Sequence, residues 1–289
     1  MIAAIGGAHI DRRGLLRAPS VPGSSNPATV RMDFGGVARN VAHNLARLGC
    51  QVLVVSRVGD DGPGLQVRQH LKNAGMEAIL SVSPNHPTAS YTAILEPSGE
   101  LVIGLADMDI YDELTPEVLG PALPHLRKCS LWFLETNLPG RTIDWLLEAA
   151  GESPVAVDAI SVAKSERLVP FLSRIPLLFC NVAQAAVLAE ARTAGGLPGA
   201  PAGVLSDGER GVALWQGREV HTMRALPAKP RDVTGAGDAL VAGTLYGLSH
   251  GEPLLRAIRW GLAAAAVTVE SEFAAVPNLT RQLLETRLA

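Results

Sequence analysis

A glycine-rich turn followed at once by an aspartate is the stretch of the sequence best suited to chemistry. It reads Gly235-Ala236-Gly237-Asp238 and opens onto a segment whose apolar residues recur at helical spacing. Free backbone N–H groups at the start of a helix, together with the helix dipole, form a site for an anion. A carboxylate there would repel that anion, so we expect Asp238 to take a proton from a hydroxyl that attacks a phosphoryl group. On spacing alone, a plain helix start with an aspartate that complements the dipole is an equally good interpretation.

Two further stretches carry polar residues in places suited to binding. Gly35 and Gly36 precede an apolar helical stripe that ends at Gly49, and such glycines let a ligand approach the backbone closely. Asn40, in the first turn of that helix, can offer a donor and an acceptor to a polyol. Asp11 follows the first predicted strand, where polar residues of α/β proteins meet ligands. A loop-capping role for Asp11 is nearly as well supported.

Strand and helix patterns alternate along most of the chain. This alternation predicts an α/β fold with a mostly parallel sheet and helices on both faces. The series is interrupted by a hairpin pattern, residues 90–96 and 100–106 around Pro97-Ser98-Gly99. With the irregular residues 12–32, this hairpin is expected to form a small second sheet that covers a site as a lid, from about 12–33 and 88–108. We expect one domain, 1–289.

Composition excludes several classes of protein. The 289 residues are 47% hydrophobic and 18% charged, as in globular proteins with a sizeable core. A net charge of −3 gives no electrostatic reason to expect nucleic acid or a membrane as partner. No apolar run reaches the length of a membrane span and no signal peptide is evident, so we expect a cytoplasmic protein. No Gly-x-Gly-x-x-Gly follows the first strand, which disfavours a dinucleotide-dependent oxidoreductase.

Three motifs together resemble the ribokinase-like (PfkB) family of carbohydrate and nucleoside kinases. Residues 232–238 resemble the carboxyl-proximal motif of that family, and Gly35-Gly36 with Asn40 its amino-proximal motif. Gly208 with Gly211 resembles its nucleotide loop, and all three stand in family order across essentially the whole chain. The resemblance implies a ribokinase-like three-layer sandwich with a mostly parallel central sheet and a small β-sheet lid. It favours the functional interpretation of Asp238.

The resemblance also implies a role for each motif residue. Asp238 would be the catalytic base on a substrate 5′-hydroxyl, and Gly235, Ala236 and Gly237 would form the anion hole. The implied substrate contacts are Asp11, Gly35, Gly36, Asn40, Tyr91, Asp107 and Lys164. The implied nucleotide contacts are Asn181, Ser206, Gly208, Gly211 and Thr234. Asp232 and Thr234 would lie at a site for a monovalent cation, K⁺ in much of this family. ATP and Mg²⁺ would be the cofactors, and the lid would serve in a homodimer.

Within the family, the sequence resembles the pseudouridine kinase branch most. The stretches that carry this resemblance are residues 35–49, 88–91, 99–100, Asp107-Met108 and Lys164. It implies phosphorylation of the 5′-hydroxyl of pseudouridine by ATP, giving pseudouridine 5′-phosphate. Two alternatives stay open: a kinase of another nucleoside or sugar, such as adenosine or ribose, and a nucleoside-binding regulatory protein with little turnover.

The chain departs from the family pattern at three places. Gln184 stands where the family usually has the glutamate of Asn-x-x-Glu, which helps to organise Mg²⁺, and a neutral amide supplies no charge to that ion. Glu190 and Asp207 are candidates to compensate. His9 stands where a ribose-contacting asparagine is common, and an imidazole can also bond a hydroxyl. Residues 191–203 look too short and too rich in glycine and proline for the helix often found there.

Overall fold

The computed structural model describes residues 1–190 and 197–289, so residues 191–196 of the segment 191–203 that was predicted to be shortened lie outside the described residues. The strands are β1 Ile2–Ile5, β2 His9–Leu16, β3 Ala28–Gly35, β4 Val52–Gly59, β5 Glu77–Ser83, β6 Ser90–Leu95, β7 Leu101–Asp107, β8 Leu131–Glu135, β9 Val155–Asp158, β10 Leu177–Asn181, β11 Ala202–Ser206, β12 Val212–Gln216 and β13 Glu219–Met223. The α-helices are α1 Val37–Arg47, α2 Gly62–Asn73, α3 Pro116–Leu119, α4 Leu123–Leu126, α5 Gly140–Ala149, α6 Val162–Ser165, α7 Val182–Glu190, α8 Ala236–Ser249, α9 Leu254–Val269 and α10 Arg281–Leu288.

Within the described residues a nine-stranded sheet runs through the middle of the molecule. Its order is β13-β12-β11-β10-β9-β8-β1-β4-β5, parallel except for the antiparallel edge formed by β11, β12 and β13. Ile2 and Ala4 of β1 face one hydrophobic cluster, while Ala3 and Ile5 face the other. Because side chains alternate across a strand, β1 is apolar on both faces and needs helices on both sides. The predicted α/β fold with a mostly parallel sheet is confirmed.

Four strands form a separate smaller sheet in the order β3-β2-β6-β7. The outer pairs β2–β3 and β6–β7 are antiparallel, and β2 runs parallel to β6. The predicted hairpin and the predicted second sheet are thus confirmed. His9, Asp11 and Arg13 alternate along β2 and share one face of this sheet.

Two parts of the structure differ from the sequence-based prediction. Asp11 lies within β2 and not in a loop after the first strand, because the chain leaves β1 through Gly6-Gly7 and enters the small sheet at once. Strand β5, residues 77–83, was not predicted at all. The bounds of β2 and β3 were not predicted within the irregular residues 12–32, although Val30, Met32 and Phe34 of β3 alternate with polar residues as a strand requires.

Helix α8, which carries Asp238, packs very closely on α9. A Cβ atom at Gly243 would lie 2.5 Å from the carbonyl oxygen of Trp260, and one at Gly261 would lie 2.4 Å from that of Leu240. Only glycine allows the two backbones to come so near. This contact fixes the position of α8 against the core, and with it the position of Asp238. Within the described residues, no helix combines the length and apolarity needed to cross a lipid bilayer.

Replacement of Gly261 by alanine tests this helix contact. The new methyl group would overlap the backbone and side chain of α8, so Gly261→Ala should lower the free energy of unfolding by about 1–3 kcal/mol. Gly120→Ala is the matched control, because a Cβ at Gly120 has open space around it. Urea denaturation measures both. Equal stability of Gly261→Ala and wild type would contradict the close packing.

Candidate active site

The glycine-rich turn has the geometry of an anion site. Gly235 caps the N-terminus of α8 in the left-handed conformation, with φ of +79°, and among the described residues no side chain caps this helix. A Cβ atom at Gly235 would lie 2.3 Å from the carbonyl oxygen of Ala274, so the turn is packed against the loop after α9. The N–H of Ala236 donates to the carbonyl oxygen of Val233 at 3.2 Å, and the N–H groups of Gly237 and Asp238 that follow point out of the helix start toward an anion.

Asp238 is held by an asparagine from a distant helix. Asn40 Nδ2 donates to Asp238 Oδ2 at 2.6 Å, although the residues are 198 positions apart. Burial raises the pKa of Asp238 to about 7; the Asn40 bond and the Arg39 charge pull it down, whereas Glu135 and Asp11 push it up. A carboxyl group that titrates near neutrality can accept a proton from a hydroxyl. The Oδ1 atom of Asn40 is buried without a hydrogen-bond partner among the described residues, so it remains free for a donor.

The structure brings Asp11, Gly35 and Gly36 together around the same cleft. A Cβ atom at Gly35 would lie 2.4 Å from Asp11 Oδ1, and one at Gly36 would lie 2.2 Å from the carbonyl oxygen of Gly7. Gly36 also has φ of +99°, which other residues rarely adopt. Both glycines are thus required by contacts within the protein, not only by the approach of a ligand.

His9 is hydrogen-bonded to Tyr111 and lies beside Asp11. Its Nε2 atom lies 3.2 Å from Asp11 Oδ1, and its Nδ1 atom lies 3.0 Å from the hydroxyl of buried Tyr111. Of these two contacts the one to Tyr111 is a hydrogen bond, whereas Asp11 Oδ1 is buried without a hydrogen-bond partner among the described residues. The imidazole lies against the Asp11 carboxylate, an arrangement that the sequence did not reveal.

Two carboxylates at strand ends were missed by the sequence analysis. Glu135, the last residue of β8, is fully buried and accepts hydrogen bonds from the backbone N–H groups of Gly7 and Asn137. Burial raises the pKa of Glu135, and these bonds lower it in part. Lys164 donates to the side chain of Asn137, which in turn donates to Glu135, so Lys164 joins this group. In parallel sheets, polar groups at the carboxyl ends of strands are placed to meet ligands. Applied to the end of β8, this rule would have identified Glu135.

Asp158, the last residue of β9, is the second of these carboxylates. It lines a cavity of about 130 Å³ together with Asn181, Gln184, Ser206 and Asp238. Burial raises the pKa of Asp158 to about 7, despite a hydrogen bond from the N–H of Ile160, and the nearby charge of Asp238 adds to the rise. Two carboxyl groups that both titrate near pH 7 thus face one small cavity.

Gln184 has a structural role at the start of α7. Its Oε1 atom accepts from the N–H of Asn181 at 2.8 Å, and its own N–H donates to Asn181 Oδ1 at 3.0 Å. This reciprocal pair is a capping box, a role that glutamine and glutamate perform equally. Of the candidates to compensate for the missing charge, Asp207 is bound to Arg210, and no side-chain placement is described for Glu190.

A second cavity of about 680 Å³ adjoins the first. Ser206, Gly237 and Leu240 line both, so the two cavities lie side by side. The larger one includes Gly208 and Gly211, and its walls are mostly apolar: Val212, Leu226, Pro227, Val233, Leu262, Ala266 and Val269. A groove of this kind suits a flat heterocycle, with an anionic tail directed at the turn 235–237.

Asp232 and Thr234 contact the small sheet. Arg13 of β2 donates to Asp232 Oδ2 at 2.9 Å and to Thr234 Oγ1 at 3.0 Å. Asp232 Oδ1 accepts from the backbone N–H of Thr234 at 2.8 Å. Both carboxylate oxygens therefore have partners inside the protein. Arg13 was not among the predicted site residues, because nothing in its spacing links it to a motif 219 residues away.

The two hairpin residues predicted to bind substrate lie on different faces of the small sheet. Tyr91 is paired with Asp11 and shares its face, and the Tyr91 hydroxyl lies 2.4 Å from where a Cβ of Gly104 would be. Asp107 is paired with Ser90, the neighbour of Tyr91, so it points to the opposite face and is exposed. Tyr91 therefore lies on the same face of the small sheet as Asp11, and Asp107 lies on the other face.

The described residues contain no group of three or more His, Cys, Asp or Glu side chains arranged to hold a metal ion. Mg²⁺ is usually bound by one or two carboxylates together with water and substrate phosphates. Asp158, in the cavity beside Asp238, is a hard oxygen donor that fits such a requirement. Neighbouring Asn181 adds an amide oxygen at the same wall.

Comparisons with known proteins agree with this geometry. The family of pfkB carbohydrate kinases matches residues 1–281. Pseudouridine kinase of Escherichia coli (strain K12) is 28% identical over 294 residues, which cover 96% of this chain and 93% of that protein. The solved structure of a carbohydrate kinase from Agrobacterium tumefaciens has a TM-score of 0.87 and 36% identity, covering 99% of this chain and 96% of its own.

Ribokinase of Arabidopsis thaliana, solved with ribose and ATP, has the same fold, with a TM-score of 0.84, 22% identity and coverage of 99% and 98% of the two chains. The family match spans nearly the whole chain and includes the turn 235–238 with its aspartate. The chain therefore belongs to the pfkB family of carbohydrate kinases and is a phosphotransferase that acts on a hydroxyl group.

Proposed function

We propose that this protein phosphorylates the 5′-hydroxyl of pseudouridine with ATP, using Asp238 as the general base. The observation that carries the chemistry is the pairing of Asp238 with a free helix N-terminus. Its pKa lies near 7, its Oδ2 is fixed by Asn40, and the anion site of α8 begins three residues earlier at Gly235. One such carboxylate can take the hydroxyl proton while the helix N-terminus holds the phosphoryl group.

In the proposed reaction the substrate hydroxyl oxygen attacks the terminal phosphorus of ATP. The new O–P bond forms as the bond to the ADP oxygen breaks, and the hydroxyl proton passes to Asp238. The backbone N–H groups of 235–237 stabilise negative charge on the transferring group. ADP leaves along the large cavity that shares Gly237 and Ser206 with the small one.

Support for a nucleoside as acceptor comes from the polar groups around the cleft. Asp11 and the unpartnered Oδ1 of Asn40 suit the hydroxyls of a ribose. Lys164 and Asn137 form a chain of donors and acceptors that suits the carbonyl and imide groups of a uracil ring. Relatives in Escherichia coli and Arabidopsis thaliana are pseudouridine kinases, the latter 23% identical. Ribokinase of Bacillus subtilis is 26% identical, so a simple sugar is the alternative acceptor.

ATP and Mg²⁺ are the cofactors that we propose. The apolar walls around Leu226, Leu262 and Val269 suit the adenine, and Gly208 leaves room at the ribose and phosphates. Gly211 lines the same cavity, but a Cβ there would lie 2.1 Å from the carbonyl oxygen of Met223. Asp158 and Asn181 would hold Mg²⁺, which would shield the phosphate charge when bound. Asp158 thus takes over the charge that Gln184 does not supply.

We also propose two roles for the small sheet within a single kinase domain of 1–289. The face with Asp11 and Tyr91 covers the cleft as a lid and keeps water from the reaction. The opposite face exposes the apolar side chains of Val30, Met32, Ile103 and Leu105. An exposed apolar patch on a sheet is typical of an interface, and a second copy of this sheet would cover it in a homodimer.

A panel of acceptors tests the proposed function. ADP release is measured with ATP, Mg²⁺ and, in turn, pseudouridine, uridine, adenosine, cytidine and ribose. Turnover selective for pseudouridine is the expected result, since relatives in Escherichia coli and Arabidopsis thaliana are pseudouridine kinases, and Lys164 and Asn137 suit a uracil ring better than adenine or no base. Preference for another compound would leave the phosphotransfer chemistry in place and reject the proposed substrate.

Replacement of Asp238 by asparagine tests the general base. Asp238→Asn keeps the shape of the side chain but cannot accept the proton, so kcat should fall about 10²- to 10⁴-fold. Binding of the nucleoside, measured by thermal shift, should be retained. Asp144→Asn, an exposed aspartate of α5 paired with Arg174, is the control and should keep wild-type turnover. Turnover retained in Asp238→Asn would reject the assigned mechanism.

The pH dependence of kcat/KM follows from the raised pKa of Asp238. Only the ionised carboxylate accepts a proton, so activity should fall about tenfold per pH unit below about pH 7. Asp158 titrates in the same range, so the acid limb of the pH profile, where activity falls, reports the two carboxyl groups together. Asn40→Ala removes a hydrogen bond that lowers the pKa of Asp238, and the acid limb should therefore move to higher pH.

The control for this shift is Asn73→Ala, an exposed asparagine at the end of α2, which should leave the limb in place. The position of the limb is compared, not the absolute rate, because Asn40 is also a proposed substrate contact. An unmoved limb in Asn40→Ala, or a move to lower pH, would contradict the role of the Asn40 bond.

A further inference from the structure

One arginine of the small sheet bridges the cleft to the loop that leads into the anion site. Arg13 lies on β2, two residues after Asp11 and on the same face. Its two terminal nitrogens donate to Asp232 Oδ2 at 2.9 Å and to Thr234 Oγ1 at 3.0 Å. Thr234 directly precedes Gly235, the residue that opens the anion site. The contact therefore joins the acceptor side of the cleft to the phosphoryl side.

The Asp232 carboxylate has no oxygen left without a partner. Arg13 occupies Oδ2, and the backbone N–H of Thr234 occupies Oδ1. The positive guanidinium of Arg13 thus lies directly against the Asp232 carboxylate, and a backbone donor occupies its other oxygen. The side chain that the family resemblance assigns to a monovalent cation is thus already neutralised from within the chain.

From these contacts we infer that the Arg13 guanidinium is the built-in cation of the 232–235 loop and takes the place of a free monovalent cation such as K⁺. A planar guanidinium with fixed donors can bind a carboxylate and a hydroxyl together, and it holds both in one geometry. A negative charge on Asp232 next to an anion site would otherwise weaken phosphate binding. The same bonds hold Thr234 and, through it, the turn of Gly235.

The inference extends the proposed mechanism and relies on phosphotransfer for its activity readout. It predicts a protein whose loop is ordered without K⁺. It also links the lid to catalysis, because movement of β2 away from the cleft would take the cation with it. When the lid closes, Asp11 would reach the acceptor and Arg13 would reach the 232–235 loop in the same movement.

The chain supplies a matched control in the strand beside Arg13. Arg31 of β3 is paired directly with Arg13 across the sheet and lies 3.6 Å from Glu272, in the loop after α9. Both partners of this second ion pair are mostly exposed, at 79% and 63% of the side chain. Exposed ion pairs of this kind contribute little to stability. Arg31→Met therefore removes a positive charge from the same sheet without touching the 232–235 loop.

The first experiment is a melting measurement on the protein without substrates, in KCl and in tetramethylammonium chloride at equal ionic strength. Wild type and Arg31→Met should melt at the same temperature in both salts. Arg13→Met should melt about 2–4 °C lower in tetramethylammonium chloride and recover in KCl, because K⁺ can then occupy the vacated carboxylate. A wild-type protein that K⁺ stabilises by several degrees would overturn the inference, whatever substrate the enzyme uses.

The second experiment measures turnover of the accepted substrate in the same two salts. Wild type should differ less than about twofold between them, and Arg13→Met should lose about 10- to 100-fold in tetramethylammonium chloride and regain it in KCl. A loss that KCl does not restore would reject the cation role. Arg13→Lys, which keeps the charge, should stay independent of K⁺. If pseudouridine is not phosphorylated in the acceptor panel, the proposed substrate is rejected, but the melting measurement still tests the cation role of Arg13.

Discussion

The crowding of carboxylates around one cleft is the constraint on which the rest of the site depends. Burial raises the pKa of Asp238 and of Asp158 to about 7; the charges of Glu135 and Asp11 add to the rise at Asp238, and those of Asp238 and Glu135 add to it at Asp158. The counter-charge for Asp238 is Arg39, only 3% exposed, whose pKa burial lowers to about 10 while Asp33, Asp11 and Asp238 raise it. Without that guanidinium the pKa of Asp238 would rise further, and less of this carboxyl group would be ionised to act as a base.

Close backbone contacts hold these charges in their places. Glu135 fills the space that a Cβ atom of Gly6 would need, and the Asp11 carboxylate does the same at Gly35. Gly36 lets the start of α1 touch the backbone of Gly7, and α1 then presents Asn40 to Asp238. Glycine is needed at each contact because a side chain would separate two elements that share the site. Stability and chemistry therefore impose the same residue type at these positions.

Sequence reasoning found the parts of the site that local patterns encode. The turn before α8, the helix after Gly36 and the hairpin of β6 and β7 each have a signal within about ten residues. Glu135, Asp158 and Arg13 have no such signal. Their roles depend on which strands become neighbours in the sheet, and on a bond between β2 and a loop 219 residues later. His9 shows a related limit, because its partners Asp11 and Tyr111 come together only in the folded chain.

The glutamine at position 184 illustrates how a fold can separate two tasks that one residue often performs. A glutamate at the third position of α7 would cap the helix and also give a charge to the cleft. Gln184 performs the capping through its bonds with Asn181, and it is almost fully buried. A carboxyl group in the same cavity comes instead from Asp158, at the end of a neighbouring strand. Since β9 and β10 are paired in parallel, their carboxyl ends lie at one edge of the sheet, and a charge on either reaches the same space. A substitution that looks like a loss in the motif is thus compatible with a cleft that keeps its charge.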